Sequence, residues 1–354
     1  MNAGTVWSSV RGARVRPRGF RTGRELAEAA ALVPEVLAGI AARPGSAHVG
    51  AWRASRSDWT STGTAVFPVG PADGPPSAVL RMSATGEDRL RHETRSLAVL
   101  GGEPALAGLR PLLPVRHAEG AAGRWWYVLD RYIGGIDATA AIATDAGLRA
   151  AVRAEGARVA TELHRATAVP MSVDDTVLHR WVEKPIGRLT GALHGSPLRC
   201  RPDQLDRLRL RLRDGLAGRR VHAGWVHGDF WPGNLRVDPG TGAVVGVIDW
   251  DCFGQGELAV HDLLHLALYH AGLERRVSLG TQVAEVLAAG TWPAAYEEVV
   301  RPSRWSWEEV DDSTVVLLYW LRYVAAMAVQ HRSYAEHSLL GWQVHNVWRV
   351  LRCL

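Results

Sequence analysis

The chain has 354 residues, 47% of them hydrophobic, enough to bury a full core in two domains or two lobes without covalent staples. Its three cysteines, Cys200, Cys252 and Cys353, are odd in number and far apart, which argues against a disulfide framework or a zinc ladder and makes cytoplasmic residence the simplest inference. The net charge of +5 is concentrated early, at Arg11, Arg14, Arg16, Arg18, Arg21 and Arg24; we read residues 1–24 as a flexible basic arm and expect no nucleic-acid surface, and no apolar run reaches the roughly 18 residues of a membrane span.

In chain order, Glu25 to Ala42 carries apolar residues at helical spacing interrupted at Pro34, which predicts one or two helices. "HVGAWRASRSDWTSTGTAVFPVG" and "PPSAVLRM" have strand character, a helix is expected from about Glu87 to Leu100, and "RWWYVLDRYIGG" reads as a strand ending in a double glycine. From Ala146 onward helices dominate, among them "LRAAVRAEGARVATELHRA", "RPDQLDRLRLRLRDGL" and "STVVLLYWLRYVAAMAVQ". The expected architecture is α+β: a sheet-rich N-lobe over 25–131 and a larger helical C-lobe over 132–354, joined near Gly134 and Gly135.

Chemistry gathers in "WVHGDFWPGNLRVDPGTGAVVGVIDWD", Trp225 to Asp251. Its Gly and Pro exclude a continuous helix, so a polar loop must feed the short apolar strand "AVVGVIDW" and display carboxylates at its end. Phosphoryl transfer to an alcohol needs a carboxylate near the attacking hydroxyl, oxygen ligands for Mg²⁺ and a cation on the ATP phosphates. Asp229 suits the first role, with Asn234 and Asp249 as metal ligands. His227 fits better as a stiffener of the catalytic loop than as a base.

H-G-D-x-x-x-x-N, here His227, Gly228, Asp229 and Asn234, followed by I-D-x-D, here Ile248 to Asp251, resembles the catalytic core of the aminoglycoside phosphotransferase family, small kinases with a two-lobed protein-kinase-like fold. The resemblance implies ATP and Mg²⁺ as cofactors. It also implies that Ala78 to Met82 is the phosphate-binding strand and that Glu93 lies on its partner helix. The family pattern has lysine where this chain has Arg81; the charge is kept, but the planar fork is larger. Lys184 is the only lysine present, so we read Arg81 as a replacement. "YVLDRYIGG" is similar to the family's hinge, where backbone groups of Leu129, Asp130 and Arg131 would pair with adenine. His164 matches a structural position. Asp262 matches a position that supports the loop, or else caps a helix. No Gly-rich loop precedes the phosphate strand; "ASRSDWTSTGTAV" stands in its place.

Other classes remain open at this stage. His261 and His265 in "HDLLH", with His270 nearby, are similar to a zinc-binding H-E-x-x-H helix, although Asp replaces Glu. A kinase-like binding module without catalysis would account for Arg81 and the missing Gly-rich loop. The acceptor would be a hydroxylated small molecule such as a sugar or antibiotic, or Ser/Thr of a precursor peptide, as in class V lanthipeptide-type pathways with a partner lyase. A polycationic acceptor needs an acidic cleft, and the one dense acidic run in the late helical region is Glu308, Glu309, Asp311 and Asp312, which reads equally as a solvated helix start.

Overall fold

The computed structural model describes residues 19–60, 63–193, 202–330 and 339–354. Most of the expected basic arm, together with Cys200 and part of the segment replacing the Gly-rich loop, lies outside the described residues. Arg21 and Arg24 belong to helix α1 (Gly19–Ala41), so regular structure begins before the expected end of the arm. Pro34 sits inside α1 without ending it. Ala29, Val33, Val36, Leu37 and Ile40 form a buried stripe at helical spacing, and packing of that stripe outweighs the hydrogen bond that proline cannot donate.

Two compact units emerge. Among the described residues, one comprises Gly19–Glu155 together with Pro232–Phe253, and the other comprises Gly156–Trp231 with Gly254–Leu354. The sequence places a lobe boundary at Arg131, whereas the first unit continues through β7 (Ile136–Asp137) and takes in the segment after the catalytic loop. The reason is strand pairing: β10 (Leu235–Val237) pairs with β7 on one side and with β11 (Val244–Val247) on the other. Gly135 makes the approach possible, since a Cβ there would come within 2.4 Å of the Val237 carbonyl oxygen, and its φ of +76° is one that L side chains rarely adopt.

The first unit is built on a six-stranded antiparallel sheet with β1 (Trp52–Ala54), β2 (Asp58–Trp59), β3 (Thr64–Pro71), β4 (Ala78–Ser83), β5 (Arg116–Ala122) and β6 (Trp125–Arg131). Its main path runs β1, β3, β4, β6, β5, with β2 paired to β3. One face packs with α1 around Phe67, Leu80, Met82, Tyr127 and Leu129. Because side chains alternate along a strand, Arg81 on β4 and Asp130 on β6 fall on the opposite face. Helix α2 (Glu87–Gly102) follows β4 and buries Leu90, Glu93, Leu97 and Leu100 along one stripe. A carboxylate in an otherwise apolar stripe requires a partner.

In the second unit, β9 (Arg220–Val226) lies between β8 (Val169–Ser172) and β12 (Gly254–Leu258). Helix α3 (Ala138–Thr144) precedes α4 (Ala146–Thr167), within which the division between units falls. The core of the second unit includes α5 (Lys184–Leu193), α6 (Pro202–Leu216), α7 (Val260–Arg275), α8 (Leu279–Ala289) and α9 (Asp312–Gln330). Every residue of α7 from Val260 to Gly272 is buried, the pattern of a helix surrounded by protein on all sides. Trp307, Trp320, Trp342 and Trp348 are buried as well. No helix among the described residues is long and apolar enough to cross a membrane.

Candidate functional site

The sheet register explains the first cluster. β4 pairs with β6 so that Arg81 faces Val128 and Val79 faces Asp130, while Arg116 on β5 lies directly opposite Asp130. Neighbours and diagonals on one face of a sheet are within reach of long side chains. Arg81 accordingly donates to Glu93 Oε2 at 2.5 Å and to Asp130 Oδ2 at 2.7 Å. Arg116 donates to the other Asp130 oxygen at 2.5 Å and lies 3.6 Å from Glu93. Two cations therefore balance two buried carboxylates. Burial works against the charge of Arg81, but Glu93 and Asp130 outweigh it and raise the guanidinium pKa. Desolvation pushes the Glu93 carboxyl up, with Arg81 opposing.

The I-D-x-D segment belongs to the same unit. The Ile248 N–H donates to the Asn234 carbonyl at 2.9 Å, which pairs the backbone of Asn234 with that of the residue before Asp249. The Trp250 N–H faces Glu93 Oε1 at 3.3 Å, so the residue after Asp249 rests on the carboxylate that holds Arg81. Asp249 itself has φ 65°, a left-handed conformation unusual for a non-glycine residue. Asp251 pairs with Arg89 of α2 and so ties the end of the motif to that helix. The amide oxygen of Asn234 and the carboxylate of Asp249 are hard oxygen donors of the kind Mg²⁺ takes.

Of the residues expected at the hinge, Leu129 is buried in the sheet core and Asp130 is committed through its side chain to Arg81 and Arg116. The Arg131 N–H donates to Val115 O at 2.8 Å and the Tyr132 N–H to Ser77 O at 2.9 Å, so both donors serve the sheet and its continuation.

The second unit carries the H-G-D loop. His227 is fully buried; its own N–H donates to Asp262 Oδ2 at 2.7 Å, and its ring Nδ1 accepts from the Asp229 N–H at 3.3 Å. It shapes the loop. The Gly228 N–H donates to Asp262 Oδ1 at 2.9 Å, and His164 Nε2 lies 3.5 Å from Asp262 Oδ2. The N-cap of α7 is Ala259, so Asp262 supports the H-G-D loop rather than capping its helix. Burial alone would raise the Asp262 pKa, but hydrogen bonding and charge interaction with His164, His227 and the Gly228 amide bring it below the usual carboxylate range. Asp229 is 2% exposed, and His265 Nε2 stands 3.4 Å from its Oδ1.

Among the described residues no group of three or more His, Cys, Asp or Glu side chains gathers to hold a metal ion, and both histidines of "HDLLH" lie against the ring of Tyr319. His265 Nδ1 lies 2.7 Å from the Tyr319 hydroxyl. His261 is buried, and neither ring nitrogen hydrogen-bonds to a described residue. Its burial pushes the imidazole pKa well below the usual range. The unfolded chain takes up this proton near pH ~6.5 while the folded chain does not, so stability is lost as pH falls below that value, by up to about 1.4 kcal/mol per pH unit. His261→Leu should flatten that part of the stability curve between about pH 6.5 and 5 in denaturant titrations. An unchanged slope would place the acid sensitivity elsewhere.

The acidic run is largely committed. Glu309 accepts from the Arg220 N–H at 2.8 Å, Asp311 caps Thr314 at 2.9 Å, and Asp312 pairs with Arg304. These contacts favour its reading as a helix start. Arg116, Arg89 and Tyr319 are the positions that sequence reasoning passed over, and it read His265 only as a zinc-ligand candidate. Arg116 and Arg89 become visible only through register and helix docking, whereas His265 stood in a motif whose spacing pointed toward zinc.

The profile of the phosphotransferase enzyme family (APH) matches residues 62–299. A comparison with curated proteins gave no match. Among solved structures, an aminoglycoside phosphotransferase assigned in Ralstonia eutropha is 16% identical, with a TM-score of 0.51 over 84% of this chain and 91% of the other. APH(2'')-type enzymes are similar too: one solved with GDP and kanamycin at 15% identity, TM-score 0.51, covering 85% of this chain and 93% of its own. Another, ADP-bound, has 14% identity and TM-score 0.50, covering 84% and 92%. At such identities the likeness shows the protein-kinase-like α+β fold and nothing finer. The profile spans most of the described sheet, the H-G-D loop and I-D-x-D, and the chain belongs to the phosphotransferase enzyme family.

Proposed function

We propose that this chain transfers the terminal phosphoryl group of a Mg²⁺-bound nucleoside triphosphate, ATP in the first instance, to a hydroxyl of a small molecule. The observation that carries the proposal is the first unit's cluster: the Arg81–Glu93 pair, with Glu93 also facing the amide of Trp250, next to Asp249. Arg81 would supply the cation for the phosphates, and Asn234 and Asp249 would hold Mg²⁺, which when bound neutralises phosphate oxygens. Asp229 is assigned to the acceptor hydroxyl, as acceptor or orienter of its proton. With the Arg131 and Tyr132 donors engaged, the chain after Tyr132 is the segment for the base.

For the acceptor, commitment of the acidic run to structural contacts favours a hydroxylated molecule of low positive charge over a polycation. The peptide reading leaned on the basic arm, most of which lies outside the described residues, and no specific observation favours it. Titration with Mg-ATP and Mg-GTP while following thermal stability tests the first step. Saturating nucleotide should add about 2.7 kcal/mol at a hundredfold excess over Kd. No shift at millimolar nucleotide would favour the non-catalytic binding module. Labelled phosphate transfer to a panel of neutral sugars and to kanamycin then reads acceptor charge directly.

A further inference from the structure

We infer that His265 is a positioning residue for Asp229: the Tyr319 hydroxyl sets the imidazole in the Nε2–H tautomer, and that N–H holds one oxygen of the Asp229 carboxylate. The inference rests on the assignment of Asp229 made above and extends it to residues that the loop motif does not contain.

Its geometry starts with α7, which reaches the catalytic loop at two points. Asp262 accepts from the His227 and Gly228 N–H groups, and His265, three residues on and so on the same helix face, brings Nε2 to 3.4 Å from Asp229 Oδ1. One helix thus addresses both the backbone of the loop and its carboxylate. On the far side of the ring, His265 Nδ1 and the Tyr319 hydroxyl are 2.7 Å apart. Tyr323 also packs against the imidazole, at 5.2 Å between ring centres, and the rings of Tyr319 and Tyr323 are stacked. Arg322, on the same helix as these tyrosines, donates to the Gly228 carbonyl at 3.2 Å.

The tautomer follows from proton bookkeeping. A neutral imidazole carries one N–H and one bare nitrogen. Were the proton on Nδ1, a bare Nε2 would face a carboxylate oxygen, two acceptors across 3.4 Å in a buried site. With the proton on Nε2, the Tyr319 O–H donates to Nδ1 and the carboxylate receives an N–H. Burial first, and then the neighbouring Tyr323 and Asp229, push the Tyr319 pKa well above its ordinary value, so the hydroxyl keeps its proton and remains a donor. A separation of 3.4 Å is long for a hydrogen bond, as such contacts often are before substrate is bound.

Histidine-selective ¹⁵N NMR of the full chain, with His265 assigned through its loss in His265→Gln, reads the tautomer without reference to activity. The expected result is a neutral Nε2–H ring in the wild type and loss of that single preference in Tyr319→Phe. The kinetic arm uses Mg-ATP with water as the phosphate acceptor. His265→Leu should lower kcat by about 10- to 100-fold with the nucleotide KM unchanged, the scale of a misplaced reacting group. His265→Gln, which keeps both a donor and an acceptor, should recover most of the loss. An Nδ1–H or doubly protonated His265 overturns the inference, as does an equal loss in the Gln and Leu variants. Should the Leu variant fail to fold, the wild-type tautomer and the Gln variant still decide. A wild type with the Nε2–H ring but neither nucleotide binding nor turnover would instead sink the kinase assignment while leaving the histidine geometry in place.

Discussion

Asp229→Asn should reduce phosphoryl transfer by about 10²- to 10⁴-fold, the usual scale for a positioned acid–base group, and leave nucleotide affinity nearly unchanged. The amide is isosteric, and the loop it sits in is held by Asp262 through the His227 and Gly228 amides, so the backbone should stay in place. Asp249→Asn should behave differently. Asn tolerates the left-handed backbone at this position better than most residues, so the substitution removes charge with little strain. Because Asp249 is the carboxylate assigned to Mg²⁺, its loss should weaken Mg²⁺-dependent nucleotide binding as well as turnover. Calorimetric titration of Mg-ATP alongside steady-state kinetics separates the two. If both variants lose binding and turnover to the same degree, the division of roles between Asp229 and Asp249 is wrong.

The second large effect concerns Arg81. If Arg81 holds the phosphates as proposed, Arg81→Ala should remove a charge-assisted contact worth about 1.5–3 kcal/mol, or roughly 10- to 100-fold in nucleotide affinity. It also leaves Glu93 and Asp130 with Arg116 as their remaining cation in the cluster, and breaking a buried ion network is costly to the fold. A fall in Tm should therefore accompany the loss of binding. Arg81→Lys should recover only part of it. The guanidinium reaches Glu93 and Asp130 through one nitrogen, at 2.5 and 2.7 Å, on a longer stem than lysine offers, and it is a planar fork rather than a point charge. An Arg81→Ala protein with unchanged nucleotide affinity would remove Arg81 from the site, even if its Tm had dropped.

Local signals carried much of the fold. Alternation along "AVLRM" puts Ala78, Leu80 and Met82 in the core and turns Arg81 the other way, and that pattern is complete within five residues. The loop character of "HGDFWPGN" follows from its Gly and Pro, and the helices over Glu87–Gly102 and Asp312–Gln330 follow from their periodicity. These are features whose cause lies within a turn or two of chain.

What the tertiary structure decided depends on pairings between distant segments. Asp130 reads as part of a hinge until the β4–β6 and β5–β6 registers place it diagonal to Arg81 and opposite Arg116. The segment 232–253 follows the H-G-D loop in sequence yet packs with the first unit, because β10 finds its partner in β7, about a hundred residues earlier, and Glu93 meets the Trp250 amide. Pro34 looks like a helix break until the stripe from Ala29 to Ile40 packs on the sheet. His265 looks like half of a zinc site until Tyr319 and Asp229 appear on either side of its ring. Sequence by itself determined which residue types were available for phosphoryl transfer and the loop that displays Asp229; their partners were decided by strand register and helix docking, which bring together side chains that no local pattern relates.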